Sequence, residues 1–559
     1  MKKLFLLAYC TLYSLIQAQA QATFNTRDSV HINNINASVL LHGDMWWDPI
    51  AESARCEFPK NTGKHVGFVS ALWMSGYDGS GQLHVASQTY RQDGNDYWPG
   101  PLDASGTLNY ATSSDWAKFW KVRRSDIQYF QALSSHTTAN TPTGILTWPA
   151  AGNAYAAGNG GVPLTISSTT TMAPFIDLNG NGSYEPLLGE YPDVKGDEAI
   201  WWAFSDNGPT HNNNNGIPLG VEVHAMSYAY ARGTLIDNVV YYEYTVTNKS
   251  ANTYNDFRIA QFSDADLGYF RDDFVGFDSA HRMSICYNGT ADDGADGGHP
   301  ANSYGIHCPV QGVTMIVLPG DVGTTYVPAG NFITYNNDFS AIGNPNSDTA
   351  CNNYMRGKSL NGTYFTNDYQ GPGLPFLPAG TGPIMRYFYA GDPADSAGNS
   401  ECIRDNARGD RRTVLSTNDF TLAPGATAKI VMALVVTDTN QGGCPNVNFH
   451  DINVVADTAW GVYHNPPPPL PATINNIDVV DKISVYPIPA KDRLWMDIPN
   501  GVIAEADIKI CNTLGQKIEV PISRRGMGVT ANISALPTGI YYLIYTTTAA
   551  KQVVKFIRE

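Results

Sequence analysis

The sequence predicts an all-β, multi-domain protein built from antiparallel β-sandwiches of Ig-like or jelly-roll-like type. Three observations carry that expectation. Charged residues are only 15% of the 559, with 52 Gly and 34 Pro, a balance foreign to coiled coils and charge-laced helical bundles. Asp outnumbers Glu by 40 to 11, and turns favour Asp where helix surfaces favour Glu. Strand-sized runs of β-branched and aromatic residues recur between Gly, Pro, Asn and Asp.

At the N-terminus, Lys2 and Lys3 precede a mostly apolar stretch, residues 4–16, and then Ala18-Gln19-Ala20. That order predicts a secretory signal peptide over residues 1–20. The stretch is too short for a stable spanning helix, and no later run reaches 18 apolar residues, so the mature chain is expected to lack a transmembrane segment. Of eight cysteines, seven lie beyond the signal. Cys286–Cys308 and Cys351–Cys402 are the nearest loops that disulfides could close, and sequence alone does not choose among pairings.

The body divides in this reading into a β-rich region, 23–235, and a sandwich region, 236–464. In the latter, residues 239–246 (VVYYEYTV) and 428–436 (AKIVMALVV) read as strands. Residues 258–262 follow the first after a turn, and Ala423-Pro424-Gly425 introduces the second. Helical periodicity is scarce: 115–131 and 448–463 each predict a short helix, the latter from Ile452, Val455, Ala459 and Val462. Residues 465–476 begin with a proline tract, a polyproline II spacer that cannot pair as a central strand. The net charge of −16 argues against nucleic-acid binding.

The acidic loops point to calcium. Asp177, Asn179, Asn181, Ser183 and Glu185 form a D-x-N-x-N-G pattern, the first half of a calcium loop, with Gly182 permitting the turn that converges the oxygen ligands. The twelfth position is Leu188, so the bidentate glutamate of an EF-hand is missing, and Glu185 or Glu190 would substitute. A second set comprises Asp264, Asp266, Asp272, Asp273 and Asp278. A hairpin presenting these at one sheet end would crowd carboxylates whose repulsion a divalent cation relieves. Ca2+ is thus the expected cofactor. Asp292, Asp293 and Asp296 read as a solvated loop.

Catalytic fingerprints are absent: no HExxH, GxSxG, Walker A or Rossmann pattern occurs. Glu222 and His224 share one face of a strand and read as a hydrogen-bonded core pair. Trp46-Trp47, Trp98 and Trp201-Trp202 could stack on sugar faces, although in so aromatic a chain such residues more often build core.

Past the proline tract lie about 80 residues of different charge balance, residues 477–559, with ten basic and eight acidic groups. They carry Ile483-Ser484-Val485-Tyr486-Pro487-Ile488-Pro489-Ala490, then residues 508–516 (IKICNTLGQ), 533–542 (ISALPTGIYY) and 553–559 (VVKFIRE). In order and spacing this module resembles the type A C-terminal sorting domain of the type IX secretion system of Bacteroidota. Ile488 stands where the family usually has Asn. The resemblance implies a small seven-stranded β-sandwich whose last strand includes Val554 and Phe556. It also implies passage across the outer membrane, with the translocon and a sortase-like peptidase as partners, and release or attachment to surface lipopolysaccharide. The segment Gly409-Asp410-Arg411-Arg412, with Phe420 to Gly425 after it, is similar to segments of large exported proteins of that phylum. The expected function is that of a secreted or cell-surface β-sandwich protein, calcium-supported, in binding, adhesion, glycan capture or structure. The alternative is a secreted hydrolase acting on polysaccharide or protein.

Overall fold

The computed structural model describes residues 26–90, 94–208, 211–340, 342–367, 377–378, 380–437, 443–470, 484–486, 489–497, 508–512, 516–525, 528–546 and 551–559. Residues 1–20, expected to be a signal peptide, and part of the expected spacer lie outside these. The chain divides into two compact units, residues 1–470 and 471–559.

Two large antiparallel sheets organise the first unit. One runs in the order Asn331–Asn336, Arg411–Ser416, Tyr254–Asp264, Val69–Tyr77, Asp44–Met45, Asn36–Leu40, Cys56–Glu57, His65–Gly67. The other runs Trp98–Pro99, Glu198–Ser205, Val221–Ala229, Val239–Asn248, Thr427–Val436, Gln311–Val317, Met283–Asn288, Asp273–Asp278. The second sheet is apolar on both faces. Val240, Tyr242, Tyr244 and Val246, with Ile430, Met432 and Leu434, enter a core shared with Trp73, Phe262 and Val414 of the first sheet. Their neighbours in sequence, Val239, Tyr241, Val431, Ala433 and Val435, point the other way, into a second core with Trp201. Side chains alternate faces along a strand, so burial on both sides yields the unbroken apolar runs seen in the sequence. Between the sheets, the Trp46 indole donates to the Tyr242 hydroxyl at 2.8 Å.

The helix His450–His464 covers the outer face of the second sheet with Ile452, Val455, Ala456 and Ala459. The single helix expected over 115–131 is instead two, Tyr110–Asp115 and Arg124–Gln131. The strand Trp120–Arg123 between them pairs with Glu198–Ser205. The boundary expected at 235/236 does not separate compact units: Val221–Ala229 and Val239–Asn248 are adjacent strands of one ladder. The disulfide joins Cys402 to Cys444, with Cα atoms 5.8 Å apart. Cys286, Cys308 and Cys351 are buried free thiols, so neither of the two pairings nearest in sequence forms.

In the second unit the described strands number eight, where seven were expected, and form two four-stranded sheets. Leu494, Met496, Val529 and Ala531 of one face Ile508, Ile510, Leu543 and Phe556 of the other in a shared core. Tyr541 stacks on Phe556 with ring centroids 5.6 Å apart. The last strand, Lys551–Arg558, contains both Val554 and Phe556.

Leu434 is fully buried in the core between the large sheets. Leu434→Ala is expected to cost about 2–5 kcal/mol, read as a lower midpoint in denaturant unfolding.

Candidate cation centre and export module

Strand register assembles the most concentrated acidic site. Tyr254–Asp264 pairs antiparallel with Arg411–Ser416, and Asp264 lies opposite Arg412. Two residues beyond each strand position, the same parity brings Asp266 towards Asp410. One carboxylate oxygen from each of Asp264, Asp266 and Asp410 lies within 4.8 Å of the others. Among the described residues this is the one cluster of three or more such ligand-bearing side chains. Arg412 donates to Asp264 at 2.8 Å and also to Asp410. The Tyr90 hydroxyl donates to Asp264 and accepts from the Arg412 Nε at 3.1 Å. Trp47, Phe68 and Phe262 pack around the Tyr90 ring. Asp264 is 1% exposed, and its Oδ1 and the Oδ1 of Asp266 lack hydrogen-bond partners. Burial drives both carboxyls above their ordinary range, and for Asp266 the Asp264 charge adds to it. Asp266 holds a left-handed backbone at φ 38°, a conformation Asp tolerates better than most residues.

Of the other members of the expected set, Asp272 and Asp273 lie beyond this cluster, with Asp273 near enough to feel the Asp266 charge, and Asp278 lies apart. The segment after Asp264 crosses from the first sheet to the second, where Asp273 opens the strand Asp273–Asp278. It is not a hairpin within one sheet. Asp272 accepts from the Gly294 amide at 2.9 Å, and Asp273 from the Leu267 amide at 2.9 Å. Asp293, read as part of a solvated loop, is fully buried. It accepts from the amides of Tyr269 and Tyr304 and faces the Asp272 carboxyl. Asp278 is at the far end of its strand, roughly 17 Å away, bound to His281 at 2.9 Å. Behind the site, buried Glu401 accepts from the Val275 amide of the second sheet and from Arg411 of the first.

The Asp177 loop is exposed and separate. Asp177 accepts from the amides of Gly180 at 2.7 Å and Gly182 at 2.8 Å, and the Gly182 contact leads in holding its carboxyl below the usual range. Gly180 and Gly182 take φ of 74° and 75°, which favours glycine. Asn179 and Asn181 both donate to Glu185, at 2.8 and 2.6 Å. Glu190 accepts from the amides of Leu178 and Glu185. Ser183 joins through its amide, which donates to Asn181.

The sugar-stacking candidates are core: Trp46, Trp47, Trp98, Trp201 and Trp202 are all buried, which removes them as exposed platforms. Glu222 and His224 are hydrogen-bonded at 2.9 Å, with Glu222 also accepting from the Leu102 amide. Asp410 and Asp293 escaped the sequence reading as ligands. The Gly409-Asp410-Arg411-Arg412 segment carried the signal, an Asp placed just before a strand with alternating partners.

The C-terminal sandwich settles the chain's export route. Residues 484–559 match the family model of the secretion system C-terminal sorting domain. Residues 484–559 are thus a type IX secretion sorting domain. Such a domain marks proteins carried through the outer membrane, so this sorting-domain protein is delivered to the cell surface or the medium. No helix among the described residues is long and apolar enough to cross a membrane. No curated protein matches the chain. Among solved structures, a polysaccharide lyase aligns at 8% identity and a TM-score of 0.18, over 60% of this chain and 34% of its own length. A likeness this slight bears on neither fold nor reaction.

Burial raises the Asp272 carboxyl to about 7, against about 3.9 unfolded. Between those values the folded chain binds the extra proton, so this group's contribution to stability is greatest below about pH 4 and falls as pH rises to about 7. In chelator, the melting temperature is expected to fall across that window. Asp272→Asn, which mimics the protonated acid, should flatten the fall.

Proposed function

We propose that the body of this exported protein works outside the outer membrane in binding or in structure, as a calcium-supported β-sandwich. The observation that carries this reading is the exposed Asp177 loop, in which the side-chain oxygens of Asp177, Asn179 and Asn181 each accept from a backbone amide of the same loop. Asn179 and Asn181 donate to Glu185, Asp177 accepts from the amides of Gly180 and Gly182, and Glu190 accepts from the amides of Leu178 and Glu185. A hard cation replacing the amide donors would find an oxygen-only ligand set suited to calcium. Extracellular calcium modules bind with dissociation constants of roughly 0.1–1 mM. At about ten times such a constant, binding adds about 1.4 kcal/mol, enough to stiffen the loop without creating the fold. The sorting domain acts as a detachable address, removed by a sortase-like peptidase, after which the body is released or joined to surface lipopolysaccharide.

The test is calcium titration of the chelator-stripped chain, followed by thermal melting. Calcium is expected to raise the melting temperature, and Asp177→Asn to abolish part of that rise. An unchanged melt with no bound ion would remove calcium from the account. A glycan array and a hydrolase screen on the same protein separate the roles. A bound glycan or matrix ligand without turnover supports the binding reading, whereas turnover of a polysaccharide or protein substrate replaces it.

A further inference from the structure

We propose that Asp264, Asp266 and Asp410 hold one buried divalent cation, of the calcium class, that ties the end of one strand to the entry of its neighbour. The inference rests on the calcium-supported reading of the body and adds an ion distinct from that of the Asp177 loop.

Charge balance is the first argument. Three carboxyls converge, and Arg412 is the guanidinium that reaches them, divided between Asp264 and Asp410. Arg411, next in sequence, is committed to Glu401. Tyr90 contributes a neutral hydroxyl, its own ionisation suppressed by burial. Three ionised carboxylates would therefore leave an excess of two negative charges beside apolar Trp47, Phe68 and Phe262. In such surroundings uncompensated charge is costly.

Unused ligand capacity is the second. Asp264, almost wholly buried, spends Oδ2 on Tyr90 and Arg412 and leaves Oδ1 with no hydrogen-bond partner. Asp266 likewise leaves Oδ1 without a donor, and its side chain lies within hydrogen-bonding reach of that of Asp264, a bond two carboxylates can make only if one of them is protonated. Buried carboxylate oxygens are normally satisfied. Either a cation or a shared proton completes this pair; a cation would also take an oxygen of Asp410, which otherwise accepts from Arg412 and Asn337. Two calcium–oxygen bonds of about 2.4 Å placed end to end span about 4.8 Å, the spacing within which the three oxygens fall. All-oxygen donors favour a hard ion over zinc or copper.

The experiment counts calcium bound to the chelator-stripped full chain by calorimetry, with thermal melts in parallel. Wild type is expected to bind one ion more than Asp177→Asn. Asp410→Asn should lose a different single ion, together with its share of the calcium-induced rise in melting temperature. Asp266→Asn, which keeps a residue suited to positive φ, should reproduce the Asp410→Asn result. If both variants at the buried cluster retain the wild-type count, the inference is overturned while the Asp177 reading survives. If Asp177→Asn alone abolishes all binding, the Asp264–Asp266 pair shares a proton and the inference is again overturned. Retention of binding by Asp177→Asn, lost in Asp410→Asn, supports the buried ion even where the surface-loop reading fails.

Discussion

The acidic centre depends on one register: Asp264 opposite Arg412 in the ladder between Tyr254–Asp264 and Arg411–Ser416. A shift of one residue would turn every side chain on the strand to the opposite face. Asp264 would leave Tyr90 and Arg412, and the apolar residues that now build the inter-sheet core would turn outward. The core and the carboxylates are therefore fixed by the same pairing. Phe262 and Val414 bury on one side of that ladder while the polar groups gather where it ends.

This explains why charge concentrates at strand ends in a protein with so few charged residues. The second large sheet is covered on both faces, leaving its central strands little room for polar side chains. Glu243 is the one charged residue within Val239–Asn248, and Lys195 and Lys429 flank it at 2.9 and 2.6 Å. Elsewhere Asp residues crowd the crossings between sheets. The crossing from Asp264 to Asp273 places four carboxylates near the junction, and Glu401 with Arg411 forms a buried ion pair behind them. Breaking such a pair by removing one partner is far more damaging than its net contribution would indicate.

The two units answer different requirements. The sorting domain is a small sandwich around a cluster of twelve buried residues among those described. The body has two extensive cores and holds its acidic centres between and around large sheets. A body of that size gains little from one surface ion. The cation proposed at the strand junction would act differently, because it would offset repulsion that the fold itself creates.

Local patterning made much of this legible in the sequence. Alternation in residues 239–246 and 428–436 marked strands, the three- and four-residue spacing from Ile452 marked a helix, and the proline tract marked the end of the body. The tail's motifs identified the export module, because their order and spacing are local to one small domain. The sequence did not disclose which distant segments meet. Asp410 joins Asp264 across 146 positions only because their strands pair, and Asp293 is buried because the chain folds back over Asp272. The tryptophan doublets, open to a sugar-binding reading, are interior once two sheets close on them. Periodicity is a property of neighbours along the chain. Register, burial and the company a carboxylate keeps are properties of the packed sheets, and the structure alone decided them.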